Sequence, residues 1–434
     1  MNIFHEWGFT ETPFKTHPLP ADENGKALLV NRKNEIKQLK KSLSSSSNLV
    51  TIEGDNGVGK TSLVNIAVYE MFDDYLRTGV GPLFIPCDAR FQLSADIEPE
   101  DFIDEVLMAV AQTLLKRGKE LKDRGFYLEN GGAIIKWLNS PLINGYSGSV
   151  NIVKHLGFGV GTTQQANPGA GFLKSGFKTT VLNWLSDIFP PYESLDGGIV
   201  CILDNMELLQ TSQIAREQIE RFRDKVFAFT GLRWVLCGSM GIMRGVASSP
   251  RLHGRMNMPI NLCGVDFKYA IDILLTRIKR FEIVEDKGYL PINCQEFEHL
   301  YKILHNNTRN ALNYANNYCL DVSDSNLPLT NEEKRETFYK WLNYQSKEKI
   351  KAVMTLIKPR ALEVFKQIIE CNGELSPSDY DIFGFKNWPT MRRYISQLEV
   401  AGLVTSIIDE SDKRRKTILV TAEGWFFNYS ISLQ

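Results

Sequence analysis

With 434 residues, 43% of them hydrophobic and 23% charged, the chain is too long for one core and too ordinary in composition to be disordered or fibrous; at about 150 residues per domain it holds about two to four. No run of about 18 apolar residues occurs and Met1 to Trp7 lacks a basic-then-apolar leader pattern, so no membrane partner is expected and the cytoplasm is the expected location. The seven scattered cysteines form no C-x-x-C pair, which argues against disulfides and zinc, and a net charge of −1 means that any nucleic-acid contact needs a local basic patch.

Trp7-Gly8-Phe9 and Pro13-Phe14 are two aromatic anchors joined by a turn, and Val30-Asn31-Arg32-Lys33-Asn34-Glu35-Ile36 opens an amphipathic helix through Leu39 and Leu43. Ser44 to Ser47 reads as a flexible connection into a short buried strand, Asn48 to Glu53. Gly54-Asp55-Asn56-Gly57-Val58-Gly59-Lys60-Thr61 then fits G-x-x-x-x-G-K-[ST], and Ser62 to Tyr69 continues as a helix. This strand-loop-helix setting is the one a phosphate-binding loop requires. Its glycines let backbone N–H groups converge on phosphates while the helix turns its positive end toward them. In that role Lys60 reaches the β and γ phosphates and Thr61 gives a hydroxyl to Mg2+.

Gly81 to Asp88 reads as a second strand and Phe102 to Leu115 as a helix, the alternation of a parallel α/β sheet. Periodicity fails from Asn130 to Gly176, a Gly-rich insertion read as a hairpin or ordered loop that either touches DNA, a partner or a neighbouring subunit, or is merely mobile. Helical pattern returns over Phe177 to Ile188. Ile199-Val200-Cys201-Ile202-Leu203-Asp204 is an apolar run ending in Asp, the Walker B pattern, which delivers Asp204 to the sheet edge beside the P-loop to orient magnesium. Trp234 to Ser239 is another buried strand.

Val265 to Arg280 and Gln295 to Leu320 carry helical periodicity without strand signals, and Asp321 to Leu329 has linker composition. Arg360 to Glu370 is a helix, Ser376-Pro377-Ser378-Asp379 caps a second, and Asn387-Trp388-Pro389-Thr390 opens a third through Met391, Tyr394, Ile395 and Leu398. A strand, the charged turn Asp409 to Lys416 and the strand Thr417 to Thr421 follow. This order looks like a winged helix, which places Thr390, Arg392 and Arg393 on or near a recognition helix and Lys413, Arg414, Arg415 and Lys416 in a wing beside a phosphate backbone. Winged helices also dock proteins, so double-stranded DNA and a partner protein both stand as ligands.

The aromatic-Gly-Phe…Pro-Phe arm, Arg-x-x-Glu-Ile, P-loop and Walker B order resembles AAA+ modules of the origin-initiator and STAND kind, a layout similar to archaeal origin-recognition initiators and regulatory ATPases of bacterial defence and mobile elements. The implied fold is α/β: an AAA+ P-loop NTPase parallel sheet over 1–264 with an insertion at about 130–176, an all-α lid and linker over 265–350 and a winged helix over 351–434. The implied activity is ATP binding and hydrolysis with self-association on ATP binding, and with any catalytic effector on a separate protein. The resemblance assigns Gly54 to Ser62 to the phosphates. It makes Val30 and Arg32 candidate base contacts, unless the arm only packs. It makes Ser239 a polar sensor, Arg309 a second sensor opening a lid helix, and Arg251 or Arg255 an arginine finger, unless these are surface ion pairs. AAA+ proteins usually place an acid after the Walker B Asp; here Asn205 stands there, and either Glu207 substitutes or hydrolysis is slow.

Overall fold

The computed structural model describes residues 2–433 apart from 46–48, 95, 139–141, 145–163, 167–173, 191–196, 210–211, 240, 253, 325 and 410–414. Strands in chain order are β1 (Leu49–Glu53), β2 (Phe84–Phe91), β3 (Leu142–Asn144), β4 (Gln164–Ala166), β5 (Gly198–Leu203), β6 (Leu232–Gly238), β7 (Ile260–Asn261), β8 (Glu374–Leu375), β9 (Val404–Asp409) and β10 (Arg415–Val420). Five of them form a parallel sheet in the order β2-β5-β6-β1-β7, with Ile52 of β1 opposite both Cys237 and Ile260. β1, β5 and β6 are buried along their whole length because helices cover both faces. Val50, Ile52, Val200, Ile202, Val235 and Cys237 pack toward the helices Lys33–Leu43 and Lys60–Thr78. Leu49, Ile199, Cys201, Leu203, Trp234 and Leu236 pack into a core shared with the helices Pro99–Lys116, Lys174–Ile188 and Ser212–Phe222.

Within the stretch that sequence periodicity leaves blank, Gly131–Leu138 is a helix, hidden from pattern reading by two leading glycines and anchored by buried Ile134. β3 and β4 form an antiparallel pair with Leu142 opposite Ala166. Residues 139–141, 145–163 and 167–173 of the Gly-rich segment, like Ser46 and Ser47 in the connection before β1, lie outside the described residues, and its last three residues open the helix Lys174–Ile188.

Beyond β7 the helices Ala270–Phe281, Cys294–Ile303 and Thr308–Ser323 share one core with Phe4, Trp7, Phe9 and Phe14. The N-terminal arm, grouped with the nucleotide domain by sequence position, thus fills the lid. The single periodic run over Gln295 to Leu320 is broken into two helices at His305 and Asn306, whose φ values of 52° and 63° are left-handed. A 24-residue helix, Asn331–Met354, leads to a third core made by the helices Pro359–Glu370 and Trp388–Val400 and the antiparallel sheet β8-β10-β9, the arrangement of a winged helix. In the closing helix Ala422–Ser432, Phe427 enters the winged-helix core and its neighbour Phe426 enters the lid core, so that one helix pins the two units together.

Candidate nucleotide-binding site

The P-loop leaves the carboxyl edge of β1 and re-enters helix at Lys60. Gly59, the residue before that helix, has φ of 98°, a conformation an L side chain resists. Gly57 has φ of 91°, and a Cβ there would lie 2.6 Å from Asn307 Oδ1 of the lid. The loop is therefore shaped by glycine on one side and roofed at contact distance on the other. Lys60 is buried, and its ammonium donates to the carbonyls of Gly54 (2.8 Å) and Asp55 (3.1 Å). The Thr61 hydroxyl donates to Asp204 Oδ2 at 2.7 Å, and the other Asp204 oxygen accepts the backbone N–H of Asn205 at 2.9 Å. Ser62 faces away from this pair, accepting the N–H of Leu19 in the arm at 3.0 Å.

Asn205 also has a left-handed backbone, φ 56°, which turns the chain sharply after Asp204 into the short 3-10 turn Met206–Leu209. Glu207 on that turn has a buried carboxylate oxygen with no hydrogen-bond partner among the described residues. Burial pushes the Cys237 thiol of β6 well up, Asp204 and Glu207 push it the same way, and the Lys60 ammonium opposes them. Ser239 follows β6 at the same sheet edge, half-buried.

The lid completes the cavity. Asn307 donates from Nδ2 to the carbonyl of Asn56 (2.7 Å) while its Oδ1 accepts the N–H of Asn310, so one side chain both caps the lid helix and holds the P-loop. The N–H of Arg309 donates to the carbonyl of Gly57 at 3.3 Å, and its exposed guanidinium lines the cavity with no partner among the described residues. Val30 lines the cavity with Pro18, Leu28, Leu29, Ile273 and Leu312, which form its apolar wall.

Two expected roles change. Arg32 lines the cavity but is buried, and its guanidinium is consumed by the carbonyls of Val58 (3.0 Å) and Cys263 (2.7 Å) and by Glu35 (3.0 Å). It braces the P-loop instead of offering donors to a base. Arg392 is held by Glu399 at 2.7 Å, and Glu399 also accepts from Ser406, so of these two arginines on the helix Trp388–Val400 the one left exposed and unpaired among the described residues is Arg393. Thr390 is exposed and bonds its own cap residue Asn387. Lys413 and Arg414 lie outside the described residues, and Arg415 and Lys416 open β10. Arg251 and Arg255 line no part of this cavity; they pair with Glu220 (3.4 Å) and Asp224 (3.5 Å) on the surface. Sequence reading missed Asn307 and the buried Arg277 of the lid helix Ala270–Phe281, which also lines the cavity.

A P-loop at the carboxyl edge of a parallel β2-β5-β6-β1-β7 sheet, roofed by an all-α lid and followed by a winged helix, is a P-loop NTPase fold of the AAA+ type. The chain is similar in structure to the Aeropyrum pernix ORC1 protein solved in complex with DNA (14% identity, 94% of this chain and 96% of that chain, TM-score 0.39). It is similar also to a Walker-type ATPase of Pyrococcus abyssi (13%, 96% and 100%, 0.47) and to the Aeropyrum pernix ORC2 protein in its ADPNP-ADP complexes (11%, 98% and 99%, 0.45). No protein-family model and no curated protein matches the sequence.

Proposed function

We propose that this protein is an ATP-binding and ATP-hydrolysing switch of the AAA+ type that self-associates on ATP binding and engages double-stranded DNA through its winged helix. The observation that carries the reading is the 2.7 Å contact between Thr61 and Asp204 with the Lys60 ammonium in the same crevice. A hydroxyl and a carboxylate held side by side are hard oxygen donors, the set that suits magnesium, which takes its remaining ligands from water and phosphate. Thr61 and Asp204 would hold Mg2+, which would supply positive charge against the phosphates. Lys60 exchanges its two loop carbonyls for phosphate oxygens, and the P-loop N–H groups hold the rest of the triphosphate. Glu207, with one buried carboxylate oxygen that has no hydrogen-bond partner among the described residues, takes the proton of an attacking water in place of the missing acid at 205. Arg309 reports the γ-phosphate to the lid through the same helix whose cap holds Asn56. Arg251 or Arg255 serves a neighbouring subunit, since neither meets its own cavity.

Titration of the purified chain with a fluorescent ATP analogue, with and without magnesium, tests the reading, and duplex binding measured with and without ATP tests its second half. One observation favours a different output: Ile382 and Val400 of the winged helix are 74% and 75% exposed. On that reading the domain docks a partner protein, as in a STAND-like signalling ATPase with a separate effector. Absence of salt-sensitive duplex binding in both nucleotide states decides for it.

A further inference from the structure

The cavity contains one cation that the switch reading leaves without a task. Arg277 is 6% exposed on the lid helix Ala270–Phe281, one turn from Ile273 on the same helical face. Its Nη1 donates to the carbonyls of Pro13 (3.3 Å) and Lys15 (3.0 Å) in the arm. Its Nε is buried with no acceptor, and no carboxylate pairs with it among the described residues. The other cations of the cavity are occupied or placed elsewhere: Lys15 pairs with Glu11, Arg32 with Glu35, Lys60 with its own loop, and Arg309 sits against Gly57.

An uncompensated buried guanidinium is costly, and here burial pushes its pKa down to about 10. Arginine cannot turn acceptor, so what relieves it must bring lone pairs. The surrounding walls are apolar, and ligand slots of that kind are oriented by a few polar groups. Arg277 and Lys60 line the same cavity with the apolar Leu28, Leu29, Val30, Ile273 and Leu312, and with a triphosphate on the P-loop it is these apolar walls that are left to receive a base.

We propose that Arg277 is the base-reading residue of this site: its guanidinium donates to a ring-nitrogen acceptor of the adenine while its Nη1 ties the arm over the base. This rests on the nucleotide reading above and adds the group that gives it base specificity. A donor-only side chain accepts no bond from the exocyclic amine, so the contact falls on N1, N3 or N7.

The test is equilibrium titration of the full chain, with magnesium, against ATP and against its 1-deaza, 3-deaza and 7-deaza analogues, for the wild type, Arg277→Lys and Arg277→Met. The wild type is expected to bind one of the three analogues about tenfold more weakly than ATP, the size of a hydrogen bond to a charged donor. Arg277→Met is expected to bind ATP about tenfold more weakly and to treat that analogue and ATP alike, and Arg277→Lys to keep part of the discrimination. If the wild type binds all three analogues as it binds ATP, the proposal is overturned, and this arm decides the matter even where Arg277→Met does not fold. Equal weakening of ATP and every analogue by Arg277→Met, with the wild-type discrimination kept, overturns it too, because that is the behaviour of an arm clamp alone. A wild type without affinity for ATP fails in a different way, since it removes the nucleotide reading as well.

Discussion

The imidazole of His305 lies flat on the indole of Trp425, with ring centroids 4.5 Å apart and planes 6° from parallel. His305 is the left-handed residue just before the P-loop-binding Asn307, and Trp425 belongs to the helix that enters the winged-helix core. Trp425 also packs where a Cβ on Gly373 of the winged helix would stand, at 2.5 Å. The stack therefore joins the turn that touches the P-loop to the winged-helix core. Trp425→Ala is expected to cost about 2 kcal/mol of stability, less than a fully buried Trp, and to weaken the dependence of duplex binding on ATP. Denaturant unfolding and duplex titrations with and without nucleotide read both effects.

Acid loosens the same junction. Desolvation lowers the pKa of His305, against a smaller upward pull from Asp55; burial also lowers that of His299, which meets Tyr429 of the closing helix edge to face, with Lys302 lowering it further and Glu296 opposing. A histidine depressed in the folded state binds fewer protons there than when unfolded, so stability is full above the unfolded value of about 6.5 and falls as pH drops from there toward the folded value. The unfolding midpoint should be level from pH 8 to about 7 and decline below about 6.5. Replacing His305 with Gln should flatten part of that decline; a decline unchanged in the variant would assign it to other groups.

Glu423 is a second tie between the units. Its carboxylate accepts from Lys349 (2.6 Å), from Tyr314 (3.1 Å) and, at the limit of bonding distance, from Asn310 (3.5 Å). Glu423→Ala leaves a half-buried ammonium and a buried phenol without their acceptor and should cost about 2 kcal/mol. Lys349→Met in the same background should recover part of the loss, which a double-mutant cycle measures.

At the P-loop, Gly57→Ala meets both a positive φ and the side chains of Asn307 and Arg309 at under 3 Å. The expected outcome is strain of about 1–3 kcal/mol and an opened lid contact, seen as a lower unfolding midpoint together with weaker nucleotide binding. Glu207→Gln is expected to leave nucleotide affinity within about twofold and to slow hydrolysis by about a hundredfold or more, the span of a lost general base. Unchanged turnover would return the role to a water-only site around Asn205.

On the helix Trp388–Val400, Arg393→Glu should lower duplex affinity and reduce the salt slope by about one unit, whereas Arg392→Ala should act mainly on stability because it takes the cation from Glu399 and leaves it only Ser406. Fluorescence anisotropy across a salt series separates the two.

Much of the site was legible because its signals are local. The P-loop glycines, Lys60, Thr61 and the apolar run ending in Asp204 each announce themselves within about eight residues. What sequence reading could not supply depends on distant chain meeting in space. Asn307 reaches Asn56 across 251 residues, and Arg277 reaches Pro13 across 264. Of the two readings open for Arg32, base contact or a packing arm, the carbonyl partners that favour packing, Val58 and Cys263, lie 26 and 231 residues away and leave no local signal. The Arg392–Glu399 pair did carry a signal, since residues seven apart share a helix face. The His305-Asn306-Asn307 run likewise marked a helix break, because asparagine tolerates the left-handed conformation there.

The account turns on a triphosphate seated between the P-loop and Asp204. Its most direct test is calorimetric titration of the wild type, Lys60→Ala and Asp204→Asn with ATP, with magnesium and with EDTA in its place. The account expects one tight site in the wild type that weakens without magnesium, loss of that site in Lys60→Ala, and loss of the magnesium dependence in Asp204→Asn. Affinity that is absent in the wild type, or indifferent to Lys60 and to the metal, would contradict it.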